Sequence, residues 1–69
     1  METIDALLEQ LRALDAKPDV PVSIMYDIGM PLIAAGHSQE MILNAIFYLE
    51  GMRQIELLPG NRLRVVTPP

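Results

Sequence analysis

Few side chains in this 69-residue chain could do chemistry: one histidine (His37), two serines (Ser23 and Ser38), nine carboxylates and no cysteine. His37 has no thiol to activate and no fixed carboxylate neighbour, so between two helical runs it reads as a turn residue. Ser23 and Ser38 each stand immediately before an apolar helical run, where a hydroxyl is explained as an N-cap. The carboxylates are dispersed, with neither metal-ligand spacing nor a glycosidase-type pair. Pro59-Gly60-Asn61 is a single turn and too short to cradle phosphates as a Gly-rich loop does. These residues point to no enzyme, no cofactor, no metal and no small-molecule substrate. What remains is recognition chemistry.

Charge limits the partners. The formal net charge is −4, whereas a domain that wraps nucleic acid draws most of its affinity from a basic footprint. The cations are Arg12, Lys17, Arg53, Arg62 and Arg64. Three of these five fall late in the chain, which leaves room for a local positive patch. A composition that is 51% hydrophobic argues against disorder. A chain of this size is one domain that hides only ~60% of its unfolded surface. Its core contributes no more than ~3–5 kcal/mol, so stability borrowed from a partner fits. Without cysteine the cytoplasm is the default compartment. The start, Met-Glu-Thr-Ile-Asp, lacks the basic segment of a signal peptide. No apolar run reaches the ~18 residues of a membrane span.

The elements that must position these residues follow from spacing. Ile4, Leu7, Leu8, Leu11 and Leu14 share one face of a first helix, with Thr3 as its expected N-cap and an end near Ala16 or Lys17, before Pro18. Residues 18–22 form a connection able to supply a short strand, confined to a sheet edge by Pro21. Ser23 caps a second helix running to Ala35, with Gly36 at its C-terminal cap. Pro31 either kinks that helix or opens a second short one, and the kink is favoured. A third helix starts after Ser38, carries the core stripe Ile42, Ala45, Ile46 and Leu49, and stops near Gly51 or Met52. Gln54–Leu58 and Arg62–Val66 then read as a hairpin about Pro59-Gly60-Asn61. Ile55, Leu57, Leu63 and Val65 point to the core, and Glu56, Arg62 and Arg64 away from it.

With Gly36-His37-Ser38 at the inter-helix turn, Leu49-Glu50 late in the third helix and Ile55-Glu56 entering the hairpin, the chain resembles a winged helix-turn-helix domain. The resemblance implies an α+β fold, three helices followed by a C-terminal β-hairpin wing, over residues 1–66. Residues 67–69 are then a disordered tail or the start of a linker. It also implies that the third helix is a recognition helix, presenting Gln39, Glu40, Leu43, Asn44 and Phe47, while Arg62 and Arg64 sit on the wing.

Base edges are read by hydrogen-bonding side chains. Gln39 and Asn44 suit that task, Glu40 opposes phosphate, and Leu43 and Phe47 offer only apolar contact. Met41 and Tyr48 add apolar surface, and either pack under the first two helices or join an exposed patch with Leu43 and Phe47. Met25, Tyr26 and Met30 extend that patch. The expectation is a small regulatory protein that docks on itself as a dimer or on another protein, through Met41, Leu43, Phe47, Tyr48, Met25 and Tyr26. The alternative is a dimeric DNA-binding transcriptional regulator reading with Gln39 and Asn44 and clamping with Arg62 and Arg64.

Overall fold

Leu7 and Leu11 lose nearly all their solvent exposure against the third helix, and this packing organises the molecule. A computed structural model describes residues 2–66; the expected tail at 67–69 lies outside them. Helix α1 (Thr3–Ala13) buries Ala6, Leu7 and Leu11, with Ile4, Leu8 and Leu14 half-covered at its margins. Strand β1 (Val22–Ser23) follows, then a π-helical turn (Ile24–Gly29) that runs directly into α2 (Met30–Ala34). Helix α3 (Gln39–Gly51) and the strands β2 (Ile55–Leu58) and β3 (Arg62–Val65) complete the chain. The architecture is α+β, with three helical segments and a three-stranded antiparallel sheet in the order β1-β3-β2. No helix among the described residues is long and apolar enough to cross a membrane.

The hairpin register pairs Ile55 with Val65 and Leu57 with Leu63. Period-two alternation puts those four on the inner face; Ile55, Leu63 and Val65 are buried and Leu57 half-buried. Each fully buried Leu or Ile contributes about 1.5–3 kcal/mol, so α3's Ile42, Ala45, Ile46 and Leu49, all buried, carry much of the core. Strand β1 occupies the sheet edge, directly after Pro21, and pairs Val22 with Leu63 and Ser23 with Arg62. At the hairpin turn Pro59 fixes one φ and Gly60 takes φ 83°, the pattern of a type II turn.

All three helical segments end the same way. The residues after the last turn are Asp15 (φ 53°), Gly36 (φ 101°) and Arg53 (φ 60°), all left-handed. The amides of Ala16, His37 and Gln54 donate back to the carbonyls of Leu11, Leu32 and Leu49. That is the Schellman geometry, which satisfies otherwise orphaned carbonyls. It also corrects the first helix: α1 stops at Ala13 because Asp15 turns left-handed, well before Pro18 could act.

Two further expectations are corrected. Thr3 does not cap α1; Glu2 holds that position without a side-chain hydrogen bond, and the Thr3 hydroxyl instead meets His37. Pro31 does not kink one continuous α-helix; it stands in the first turn of a second short one, α2, which the π turn precedes. The π turn is closed by the amide of Met30 donating to the Met25 carbonyl, five residues back. Ser23 does cap this segment: its Oγ accepts from the Tyr26 amide, while Asp27 Oδ2 accepts from the Ser23 amide at 2.8 Å. Ser38 caps α3 by accepting from the Met41 amide.

Candidate functional site

Helix α3 turns 100° per residue, so its faces follow by arithmetic from its sequence. The inner face is Ile42, Ala45, Ile46 and Leu49, all buried. Directly opposite lie Glu40, Asn44 and Gly51, exposed and without apolar bulk. Leu43 stands on one flank and Met41 and Tyr48 on the other; Phe47 lies between Leu43 and Glu40, about 30° from the point opposite the core. The apolar surface of α3 is therefore two flanks, with Phe47 standing out from the otherwise polar back next to the Leu43 side.

Leu43 is 42% exposed and Phe47 56%, so neither side chain finds a home inside the subunit. Met41 and Tyr48, at 49% and 52%, are not packed away under the first helices either. The two flanks border different hollows. Leu43 faces α2 across a groove of about 260 Å³ lined also by Met25, Met30 and Ile33, with Gln39 and Asn61 at its edges. Met41 and Tyr48 border a separate hollow toward α1, with Ile4, Asn44 and Thr3. Of the six residues expected at the interface, the structure thus brings Met25 and Leu43 together at one groove, with Phe47 one turn on from Leu43 and rotated toward the back of the helix. Met41 and Tyr48 belong to the other side, and Tyr26 is exposed on the π turn.

Why the groove exists is a matter of backbone geometry. The π turn runs directly into α2, whose Met30 and Ile33 line the groove opposite Leu43, and the amide of Ile24 donates to the carbonyl of Asn61, tying the hairpin turn to the same corner. Ile24 and Ile33 are apolar lining residues that periodicity did not single out. They sit in a segment apolar on several faces, where no stripe could be separated. Among the described residues no charged side chain lines the groove.

The residues expected to contact DNA are less convergent. Gln39 edges the α2 groove and Asn44 edges the α1 hollow, on different flanks of α3. Arg64 is engaged in the fold: its Nη2 and Nε donate to Glu56 Oε2 and Oε1 at 3.0 and 3.3 Å, directly across the β2–β3 pair. Arg62 is exposed, and its Nε donates to the Pro59 carbonyl at 3.4 Å. Both arginines stand on the outer face of the hairpin.

His37 and Thr3 form the other polar contact of note. His37 Nδ1 lies 3.0 Å from Thr3 Oγ1, joining the α2–α3 turn to the start of α1. Thr3 is buried, and its hydroxyl depends on this partner. The contact ties the turn before α3 to the first turn of α1. Among the described residues no cluster of three or more His, Cys, Asp or Glu side chains is placed to hold a metal ion. No family model, curated protein or solved structure matches the chain.

Proposed function

We propose that this is a small, non-enzymatic regulatory protein that acts through protein–protein contacts made by the Leu43 and Phe47 flank of α3. The observation that carries the reading is the half-exposure of those two apolar side chains, Leu43 lining a groove without charge and Phe47 one turn beyond it. Single exposed apolar residues are ordinary, but contiguous apolar patches mark partner surfaces. Charge depletion at the centre and methionine and aromatic enrichment are features of interface cores, and Met25, Met30 and Phe47 supply both.

A winged-helix reading of the fold is part of the proposal. It is supported by the order helix, strand, two helical segments, hairpin, and by the first strand adding to the outside of the returning hairpin strand. On that reading α3 is the recognition helix and the β2–β3 hairpin is the wing. Fold alone leaves the ligand open, so the choice rests on the surface.

A second reading, a dimeric DNA-binding regulator, draws on the exposure of Gln39 and Asn44. It is weakened by the net charge of −4 and by the pairing of Arg64 with Glu56. Size-exclusion chromatography with light scattering, run alone and with mixed genomic DNA at low salt, tests the choice. A mass or partner complex that ignores DNA and is lost in Phe47→Asp fits protein docking. A salt-sensitive shift with DNA that disappears in Arg62→Ala/Arg64→Ala contradicts it.

A further inference from the structure

We infer that the occupant of the α2–α3 groove is a second copy of this chain, related by a two-fold axis that seats each Phe47 ring in its partner's groove. The inference rests on the protein-docking reading above and adds the identity of the partner. Three observations carry it.

The first is area. Met25, Met30, Ile33, Leu43 and Phe47 are each about half exposed. Large side chains carry ~150–250 Å² apiece when free, so these five leave on the order of 500 Å² of apolar surface. A standard interface covers about 800 Å² per partner, of which ~65% is apolar at the core and in homodimers. The patch therefore matches the apolar share of one such interface without recruiting the other flank of α3.

The second is self-complementarity. A two-fold interface uses the same surface on both subunits, so it needs a projection and a recess side by side. Phe47 projects one helical turn beyond Leu43, outside the groove, and the recess that Leu43 lines is about 260 Å³. An apolar cavity of ~150 Å³ holds a benzene ring, so there is room for one phenyl group from each copy.

The third is charge. Two chains of −4 repel each other at long range, so a self-contact needs a seam that adds no like-charge pairs. The groove lining is entirely uncharged, with Gln39 and Asn61 as polar edges. A basic partner would find no carboxylate in the lining to pair with, whereas a second copy brings the same uncharged lining.

The native chain has no cysteine, so cross-linking can report the geometry. Phe47→Cys and Met30→Cys variants are mixed and mildly oxidised, and the disulfides are identified by mass spectrometry. In parallel, light scattering gives the mass of the unmodified chain, and the uncharged dye Nile red reports exposed apolar surface. The expected result is a dimer mass, a disulfide joining positions 47 and 30 in preference to 47 to 47, and at least about 30-fold weaker association in Phe47→Asp. A dimer linked chiefly 47 to 47 overturns the reciprocal seating. A monomer that binds Nile red through Phe47, with binding lost in Phe47→Asp, overturns the second copy while leaving the docking surface in place. A monomer that binds no dye removes both. Circular dichroism on each variant keeps loss of fold separate from loss of contact.

Discussion

The side-chain amide of Gln10 donates to the backbone carbonyl of Asp27 at 2.9 Å, linking the middle of α1 to the π turn. In an α-helix that carbonyl would accept from the amide four residues on, which is Pro31 and has none. Gln10 thus supplies the donor that proline removes. Gln10→Ala should lower stability by about 1–2 kcal/mol, the cost of orphaning a partly buried carbonyl. In a Pro31→Ala background the new amide can take over, so the same substitution should cost less than half as much. Urea denaturation of the four variants gives the coupling energy. Equal costs in both backgrounds contradict the assignment.

Arg53 holds a left-handed conformation at the end of α3, with φ 60°. Non-glycine residues are disfavoured there by roughly 1–2 kcal/mol. Arg53→Gly should therefore raise the urea midpoint, by ~1 kcal/mol of stability after the entropy of glycine in the unfolded chain is offset. Gly51, two residues earlier, is helical, and a Cβ added there meets nothing within 4 Å. Gly51→Ala should stabilise by about 0.5–1 kcal/mol. A loss of stability in either variant runs against this geometry.

The cross-strand pair of Glu56 and Arg64 is well aligned but open to water, with side-chain exposures of 52% and 31%. Exposed pairs contribute ~0–1 kcal/mol. Glu56→Ala should cost less than about 1 kcal/mol, and less again at high salt. A thermal melt at two ionic strengths measures both.

Most of the fold was legible in the residues, and the failures have identifiable causes. The stripe Ile42, Ala45, Ile46 and Leu49 and the alternation through Ile55 and Val65 announce themselves because each period repeats several times. The end of α1 was missed because Asp15 adopts a backbone region where Gly is the usual signal. Thr3 misled in the opposite way: its type suits a cap, but its partner, His37, is 34 residues distant and invisible to local pattern. At the candidate site, the exposure of Leu43 and Phe47 followed from counting apolar residues against the little protein available to cover them. Their separation from Met41 and Tyr48 follows from helical angle alone. Ile33 and the groove required the π turn, which no local propensity encodes.

Thr3→Val should test the tie between α1 and the α2–α3 turn. It keeps the shape of a buried side chain and removes the hydroxyl that meets His37 Nδ1. A loss of about 1 kcal/mol is expected, with faster amide hydrogen exchange confined to the first turn of α1 and residues 36–38. Unchanged exchange there would show that the contact does not hold the two elements together.

The exposed flank of Leu43 and Phe47 as a protein contact is tested most directly by sedimentation equilibrium of the native chain, Phe47→Asp and Arg62→Ala/Arg64→Ala. Runs at low and high sodium chloride, over micromolar concentrations, complete the comparison. The account predicts association that tightens with salt as the −4 charges are screened, that Phe47→Asp abolishes, and that the arginine substitutions leave intact. Native protein that remains monomeric under all conditions and sediments with added DNA in an arginine-dependent, salt-sensitive complex would contradict it.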